Sequence, residues 1–433
     1  MTRTLLEHPS APEFLREFQE EHLSELAFLL AQRRRYLHDP EVEWPDVESL
    51  ETRIFRHVEA LRTGGDIGLT CARETFASEA PDELTAGAYA LVHVTSGGDG
   101  IAEVMARMAE ADTVLLPCFT EALMLARHPQ LSERLGTLLT ALRPEVRAAA
   151  ARILGHRRDG GAGPLLPLLD DSVPEVRAAA ALAVADLGHR LALPVLERKL
   201  TQVSAGEVGV WALAALRLGS SRALHACRQV GHASGTLSPG LPWLLGLAGD
   251  AQDFGLLRQL CARPELMVGV LEALGILGVP AAVPLLLEHL SHEKTEVKEA
   301  AAKALALMTG AGLLEKVQVR DEDASDDEAS EDAWHEVTRP STDAVAWRAW
   351  WAEHRSLLEG KSRLRLGRPY SLDLCIEELA HSRSLFDARA RAALELGIRS
   401  GQTVGFQPDW PIRRQRQAIE QWRQWWAERT RPR

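Results

Sequence analysis

The side chains that could carry chemistry are few and scattered. Two histidines, His156 and His189, sit in the same tetrapeptide, L-G-H-R, 33 residues apart. On stacked helices that separation puts them about 10 Å from each other, whereas metal–histidine bonds run near 2 Å. The pair therefore cannot share one ion, and each is read as a basic cap on a helix C-terminus. The run 321–332 (DEDASDDEASED) holds eight acids in twelve residues. Asp321, Asp323 and Ser325 fall where a calcium loop places ligands. Asp326 stands where its sharp turn needs glycine, however, and Asp332 stands where its bidentate glutamate belongs. A self-repelling, solvated loop is the simpler reading. Residues 96–100 (SGGDG) lack the lysine of a phosphate-cradling loop and read as a turn. No G-x-S-x-G, H-E-x-x-H or Cys/His zinc spacing occurs. Cys71, Cys118, Cys227, Cys261 and Cys375 form no C-x-x-C pair, which predicts buried thiols in a reducing compartment. The expectation is no catalytic residue, no cofactor and no metal site.

The elements that would position these groups are helices, and they repeat. Residues 144–157 (PEVRAAAARILGHR) return as 174–190 (PEVRAAAALAVADLGHR) and again as 295–310 (TEVKEAAAKALALMTG). In the second copy Val176, Ala180, Ala183, Val184 and Leu187 form one stripe at helical spacing, and Gly188 follows as a C-cap. Short apolar helices are predicted over 164–169, 194–200 and 284–290. Each opens on a proline whose missing N–H costs nothing in a first turn. Glycines at 155, 188, 219, 249, 278 and 310 mark steps of 33, 31, 30, 29 and 32 residues. A two-helix unit of about 30 residues cannot bury its own apolar faces and must stack on its neighbours. The prediction is an all-α fold, an α-solenoid of stacked helix pairs. Upstream, 82–93, 101–110 and 113–127 read as further helices, and the first 77 residues as two charged ones, about 13–36 and 47–62.

The pattern L-x-x-L-D-D-x-x-x-x-V-R-x-x-A-x-x-A-L-x-x-L-G is similar to a HEAT repeat, of the short type also seen in phycobilisome-lyase-like proteins. The match is closest over 138–190 and 280–310. Asp171 and Arg177 occupy the positions of the HEAT aspartate–arginine ladder. The third copy has His292 and Lys298 there and the first has Ala141 before Arg147, so a continuous ladder is not expected. The resemblance implies an N-terminal helical cap (1–77), a HEAT-repeat solenoid (78–312), an acidic loop (313–340) and a C-terminal HEAT-like pair with Trp-rich capping helices (341–433). The dipeptides His292–Glu293 and His335–Glu336 resemble the paired His-Glu motifs of deoxyhypusine hydroxylase, a di-iron HEAT protein. Only two occur here, at unequal repeat positions.

The C-terminal part holds a second echo. W-R-x-W-W-A-E occurs within 346–355 and again within 421–430, with a HEAT-like pair at 372–379 and 385–397 between. Eight of the eleven tryptophans lie beyond residue 330. Bulky helices sealing a stack are one reading, and a Trp-rich partner pocket is the other. The layout resembles an uncharacterised bacterial HEAT family that accompanies type VI secretion effector genes. What that resemblance implies is an immunity protein that binds and occludes a co-encoded toxin.

Charge bears on the partner. The chain carries a net −12, while residues 341–433 hold 17 Lys+Arg against 11 Asp+Glu. The acidic body predicts a basic protein partner, and it suits the toxin that the resemblance implies if that toxin has a basic cleft, as a nuclease does. Concave positions of the clearest repeats are small, with Arg152, Asp186 and Lys303 as charged exceptions. These three, with Asp326, Asp327 and Glu328 of the acidic run, are the predicted partner-binding residues. A nucleic-acid partner is not expected, although the arginines at 413, 414, 416, 423, 429, 431 and 433, interleaved with tryptophan, could hold a phosphate backbone. A lyase-like enzyme or cofactor-handling protein is the remaining alternative. No apolar run approaches 18 residues and the first residues lack the apolar core of a secretory signal, which predicts a cytoplasmic protein away from membranes. The oligomeric state is left open.

Overall fold

A computed structural model describes residues 11–95, 98–233, 235–320 and 334–431. In chain order the helices are α1 (Ala11–His38), α2 (Val47–Thr63), α3 (Gly65–Phe76), α4 (Pro81–Val94), α5 (Asp99–Glu110), α6 (Leu116–Leu125), α7 (Leu131–Leu135), α8 (Pro144–Arg157) and α9 (Pro174–Asp186). There follow α10 (Leu193–Leu200), α11 (Val208–Arg217), α12 (Ser221–Gly231), α13 (Leu241–Ala248), α14 (Phe254–Leu260), α15 (Met267–Leu277), α16 (Val283–His289) and α17 (Thr295–Thr309). Strands β1 (Leu314–Arg320) and β2 (Trp334–Pro340) precede α18 (Ala344–Leu358). The short strands β3 (Leu364–Arg365) and β4 (Arg368–Pro369) precede α19 (Leu372–Ala380), α20 (Phe386–Ser400) and α21 (Ile412–Thr430). The fold is an all-α solenoid of stacked helix pairs with two small hairpins. Among the described residues no helix is long and apolar enough to cross a membrane.

The repeats form where the periodicity places them, and two local departures have physical causes. Pro167 removes an amide in the middle of 164–169, and the segment winds as a 3-10 helix, Gly163–Asp170. The region 1–77 holds a third helix, α3, whose glycines obscure it in the sequence. Gly68 is required there, because a Cβ would stand 2.2 Å from the Leu61 carbonyl oxygen. Of the six repeat-marking glycines, those at 188, 219, 278 and 310 adopt left-handed φ. Gly155 instead lies inside α8 against α9, where a Cβ would meet the Ala183 Cα at 2.6 Å. The same crossing recurs between α15 and α17, with Gly275 against the Ala304 Cα at 2.6 Å. Small residues on the second helix of each pair thus let adjacent backbones touch.

The chain divides into two compact units, and the division differs from the predicted boundaries. The first comprises residues 1–192, 376–393 and 403–433; the second comprises 193–375 and 394–402. The predicted solenoid 78–312 is therefore split after Ala192, and the predicted C-terminal segment 341–433 is shared between the units. The reason lies in the contacts of the returning chain. In the first unit α21 packs on α2, the Ile412 amide donates to Glu51 at 2.9 Å, and the Arg413 guanidinium donates to Glu48 at 3.2 Å. In the second, the amides of Leu364, Leu366 and Gly367 donate to the carbonyls of Gly278, Leu307 and Met308, covering the ends of α15 and α17. The predicted loop 313–340 begins and ends as antiparallel strands, with Val317 opposite Val337. The leading tryptophan of each echo, Trp347 and Trp422, is buried in its own unit.

Asp171 serves the ladder position assigned to it, with an arginine of the preceding repeat as its partner. Arg147 of α8 makes a two-pronged ion pair with Asp171 of the next repeat, both bonds at 2.9 Å, and also donates to the Ala141 and Leu142 carbonyls. Arg177 donates to the backbone carbonyls of Asp171 and Ser172. The Arg147–Asp171 link joins one repeat to the next.

In the second unit three arginines converge on one buried carboxylate. Arg365, Arg363 and Arg399 reach Glu395 at 2.6, 3.4 and 3.1 Å, and Glu395 is fully buried. The surplus positive charge is met by helix ends. Arg363 donates to the Leu277 carbonyl at 2.6 Å, and Arg399 donates to those of Gly246 and Gly249. Burial, then the charge of Arg399, lowers Arg363 to about 10. Replacing Glu395 by alanine leaves these guanidinium groups without their counter-charge. The expected cost is about 3–5 kcal/mol, read from denaturant unfolding, against less than about 0.5 kcal/mol for the surface change Glu420→Ala. Equal small losses at both positions would show that the cluster does not hold the unit together.

Candidate functional site

The first unit contains a groove of about 630 Å³. Leu37 on α1, Leu116 and Pro117 on α6, and Ala148 and Ala149 on α8 give it an apolar floor, with Phe386 at the start of α20. Its walls are charged. Arg34 is paired with Asp82 and Glu121 at 2.9 and 2.7 Å. Glu145 and Glu175 are exposed and follow the proline that opens α8 and α9, so the repeat itself sets their spacing. Arg152 is exposed on the groove wall and, among the described residues, makes no ion pair.

One end of the groove is closed by a group from the far end of the sequence. His156 is buried, and its Nε2 lies 2.9 Å from Asp409 Oδ1. Trp410 stands edge-on to the imidazole, and its indole N–H donates to the His156 carbonyl at 2.9 Å. Arg33, also buried, donates to Glu51 at 2.9 Å and to the Asp409 carbonyl at 2.8 Å. Burial pushes the Asp409 carboxyl up. The His156 hydrogen bond and the charges of His156 and Arg33 outweigh that and hold it below the ordinary aspartate value. A carboxylate orienting an imidazole is half of a nucleophile-activating arrangement. The other imidazole nitrogen, Nδ1, is buried with no hydrogen-bond partner among the described residues. The arrangement fixes a wall. The predicted helix-capping role of His156 gives way to this pairing, whereas His189 lies in the turn after α9, half-exposed.

The other predicted residues are dispersed. Asp186 accepts from Gln407 Nε2 at 3.2 Å, so its carboxylate serves the first unit's own returning chain. Lys303 is exposed on α17 of the second unit. Asp326, Asp327 and Glu328 lie outside the described residues, as does the whole run 321–332 with its calcium-loop-like spacing. Of the His-Glu dipeptides, His292 follows α16 and accepts from the Lys294 amide at 3.1 Å, while Glu336 lies on β2 and pairs with Lys316 at 2.5 Å. Of the arginine stripe, Arg413 and Arg416 pair with Glu48, and Arg423 with Glu420.

One potential ligand cluster was not foreseen. Glu20, Cys71 and Glu74 bring their ligand atoms within 4.8 Å of one another. Arg16 already pairs with both carboxylates, at 2.8 and 2.5 Å, and burial pushes the Cys71 thiol up, away from the thiolate a metal needs. The five cysteines are all buried and free; burial drives Cys227 up to about 12.

With the geometry in place, the comparisons are informative about class. A family model for HEAT repeats matches residues 132–217. No curated protein matches the sequence. Among solved structures the chain is similar to an engineered protein, at 18% identity over 70% of this chain and 86% of that one, with a TM-score of 0.30. It is similar also to human deoxyhypusine hydroxylase in complex with glycerol, at 19% identity over 67% and 96%, TM-score 0.24. A second engineered protein matches at 20% identity over 55% and 94%, TM-score 0.22. Fold and matched segment together define an α-solenoid that contains HEAT repeats.

The depressed Asp409 carboxyl makes a pH prediction. A carboxyl whose folded pKa lies below its unfolded value of about 3.9 contributes stability above that value, and the contribution is lost as pH falls through the folded pKa. Asp409→Asn should therefore lower the melting temperature at about pH 5, and the gap to the parent should close toward about pH 2. A gap unchanged between these two pH values would rule out the charged pair as its source.

Proposed function

We propose that the chain is a non-enzymatic HEAT-repeat scaffold whose groove in the first unit grips a segment of another protein. The groove itself carries the reading: an apolar floor between charged walls suits an extended or helical segment with apolar anchors. Its exposed glutamates, Glu145 and Glu175, repeat with the helices and would meet basic side chains. The net charge of −12 favours a basic partner, since complementary charge speeds and orients docking. The most concrete version, in keeping with the resemblance of the repeat-plus-tryptophan layout, is an immunity protein that occludes a bacterial type VI secretion toxin in the cytoplasm. On this reading it needs no cofactor, performs no chemistry of its own and binds no nucleic acid.

Affinity capture from the native host, followed by co-expression with the captured protein, tests the proposal. The expected outcome is a basic protein that is toxic alone and harmless when co-expressed. A captured protein that is not toxic, or whose toxicity persists, overturns the immunity reading. The double change Glu145→Lys and Glu175→Lys should slow association at low salt by about fivefold or more, with the difference shrinking at high salt. An unchanged association rate removes this wall from the interface.

A further inference from the structure

A second concavity, about 330 Å³, lies in the first unit where the ends of α6 and α8 meet the start of α21. Four arginines line it, Arg127, Arg157, Arg413 and Arg414, with Asp159 the one carboxylate and Gln417 the one amide in the lining. We propose that this concavity is a binding site for a phosphate group.

The arginines differ in how they are held. Arg157 is buried and donates to the Leu123 and Ala126 carbonyls at the end of α6, and it pairs with Asp159 at 2.5 Å. Arg414 lies 3.5 Å over the Trp410 ring and donates to the Arg157 carbonyl at 2.6 Å. Arg413 uses its Nε on Glu48. The guanidinium of Arg127 makes no hydrogen bond or ion pair with any described residue, although its backbone is fixed. The Arg127 amide donates to His93 Nε2 at 3.1 Å, which leaves His93 Nδ1 to donate to the Tyr89 carbonyl at 2.8 Å. That tautomer is neutral, and burial keeps the His93 pKa low, as the arrangement requires.

The charges do not cancel. Asp159 and Glu48 offset two guanidinium groups, and the C-termini of α6 and α8 supply about half a negative charge each. About one positive charge is left in a partly enclosed space. Burial lowers Arg414 to about 10, with Asp159 opposing that shift and Arg158, Arg157 and Arg127 adding to it. A bound anion relieves that crowding. Phosphate fits better than carboxylate because its oxygens can each meet a different fork, and Arg127, Arg413 and Arg414 come from two chain segments. A carboxylate would engage one fork and leave the rest unmatched.

The test uses the full chain with inorganic phosphate at fixed ionic strength, balanced with chloride, and follows heat of binding and melting temperature. One saturable site that raises the melting temperature, with chloride alone giving no rise, is the expected result. Arg127→Gln should weaken phosphate at least about tenfold without changing the ligand-free melting temperature, because its guanidinium holds no folded contact; Arg423→Gln should change nothing. Ribose 5-phosphate distinguishes the source. Tighter binding than inorganic phosphate assigns the site to a phosphorylated small molecule, and equal or weaker binding assigns it to free phosphate. The absence of a saturable response, or equal affinity in Arg127→Gln, overturns the proposal and leaves the groove reading untouched.

Discussion

A helix ends in carbonyls that nothing inside the helix can satisfy, and a stack of short helices multiplies those ends. This protein meets the requirement with arginine and with returning backbone. Arg107 donates to the carbonyls of Ala77 and Ser78 just after α3, Arg143 to those of Glu110 and Ala111 at the end of α5, and Arg157 to those of Leu123 and Ala126 at the end of α6. In the second unit Arg363 and Arg399 do the same for α15 and α13. Each guanidinium places positive charge on the negative end of a dipole and fixes one helix to another. The repeats are therefore joined by two contacts of different kinds, an apolar crossing at glycine and alanine and a polar clamp at the helix end.

That use of arginine changes what the charge distribution means. The basic excess of residues 341–433 suggests an exposed positive surface. Yet Arg365 and Arg389 are buried, Arg363 and Arg399 serve helix ends, and Arg414 is folded onto Trp410. Arg389 shows how far the chain goes: it lies between the Trp44 and Phe406 rings, 3.9 and 5.1 Å from their centroids, and donates to Gln415 at 2.5 Å. Burial alone lowers it to about 9, so it stays charged near neutrality, held by π faces in place of a carboxylate. Part of the apparent basic surface is internal cement.

The helices were legible because each carries its own period. Residues 13–36 and 47–62 appear as α1 and α2 almost to their ends, and 82–93 as α4. What escaped was decided by contacts with no local signature. The strands β1 and β2 flank the acidic run, whose charge dominates any reading of that region. The pairing of His156 with Asp409 spans 253 residues, and neither residue type nor spacing announces it. Asp186 looked like an open concave acid because its partner, Gln407, belongs to a segment with no repeat character. The ladder position of Asp171 was legible, but its partner was not: a repeat pattern aligns residues within units, whereas Arg147 reaches across to the next one.

The groove follows from the same returning segment. Repeats alone would give the first unit only a row of small residues, Ala148 and Ala149 among them, which offers area but little specificity. The segment around Asp409 and Trp410 closes one end of that row, and it is itself held by Arg33 and by the carbonyl of His156 at the end of α8. The helix end that needs a donor is thus satisfied by the segment that closes the groove. Stability of the stack and definition of the groove are the same contacts in this unit, so the shape of the groove is set by helix ends brought together from opposite ends of the chain.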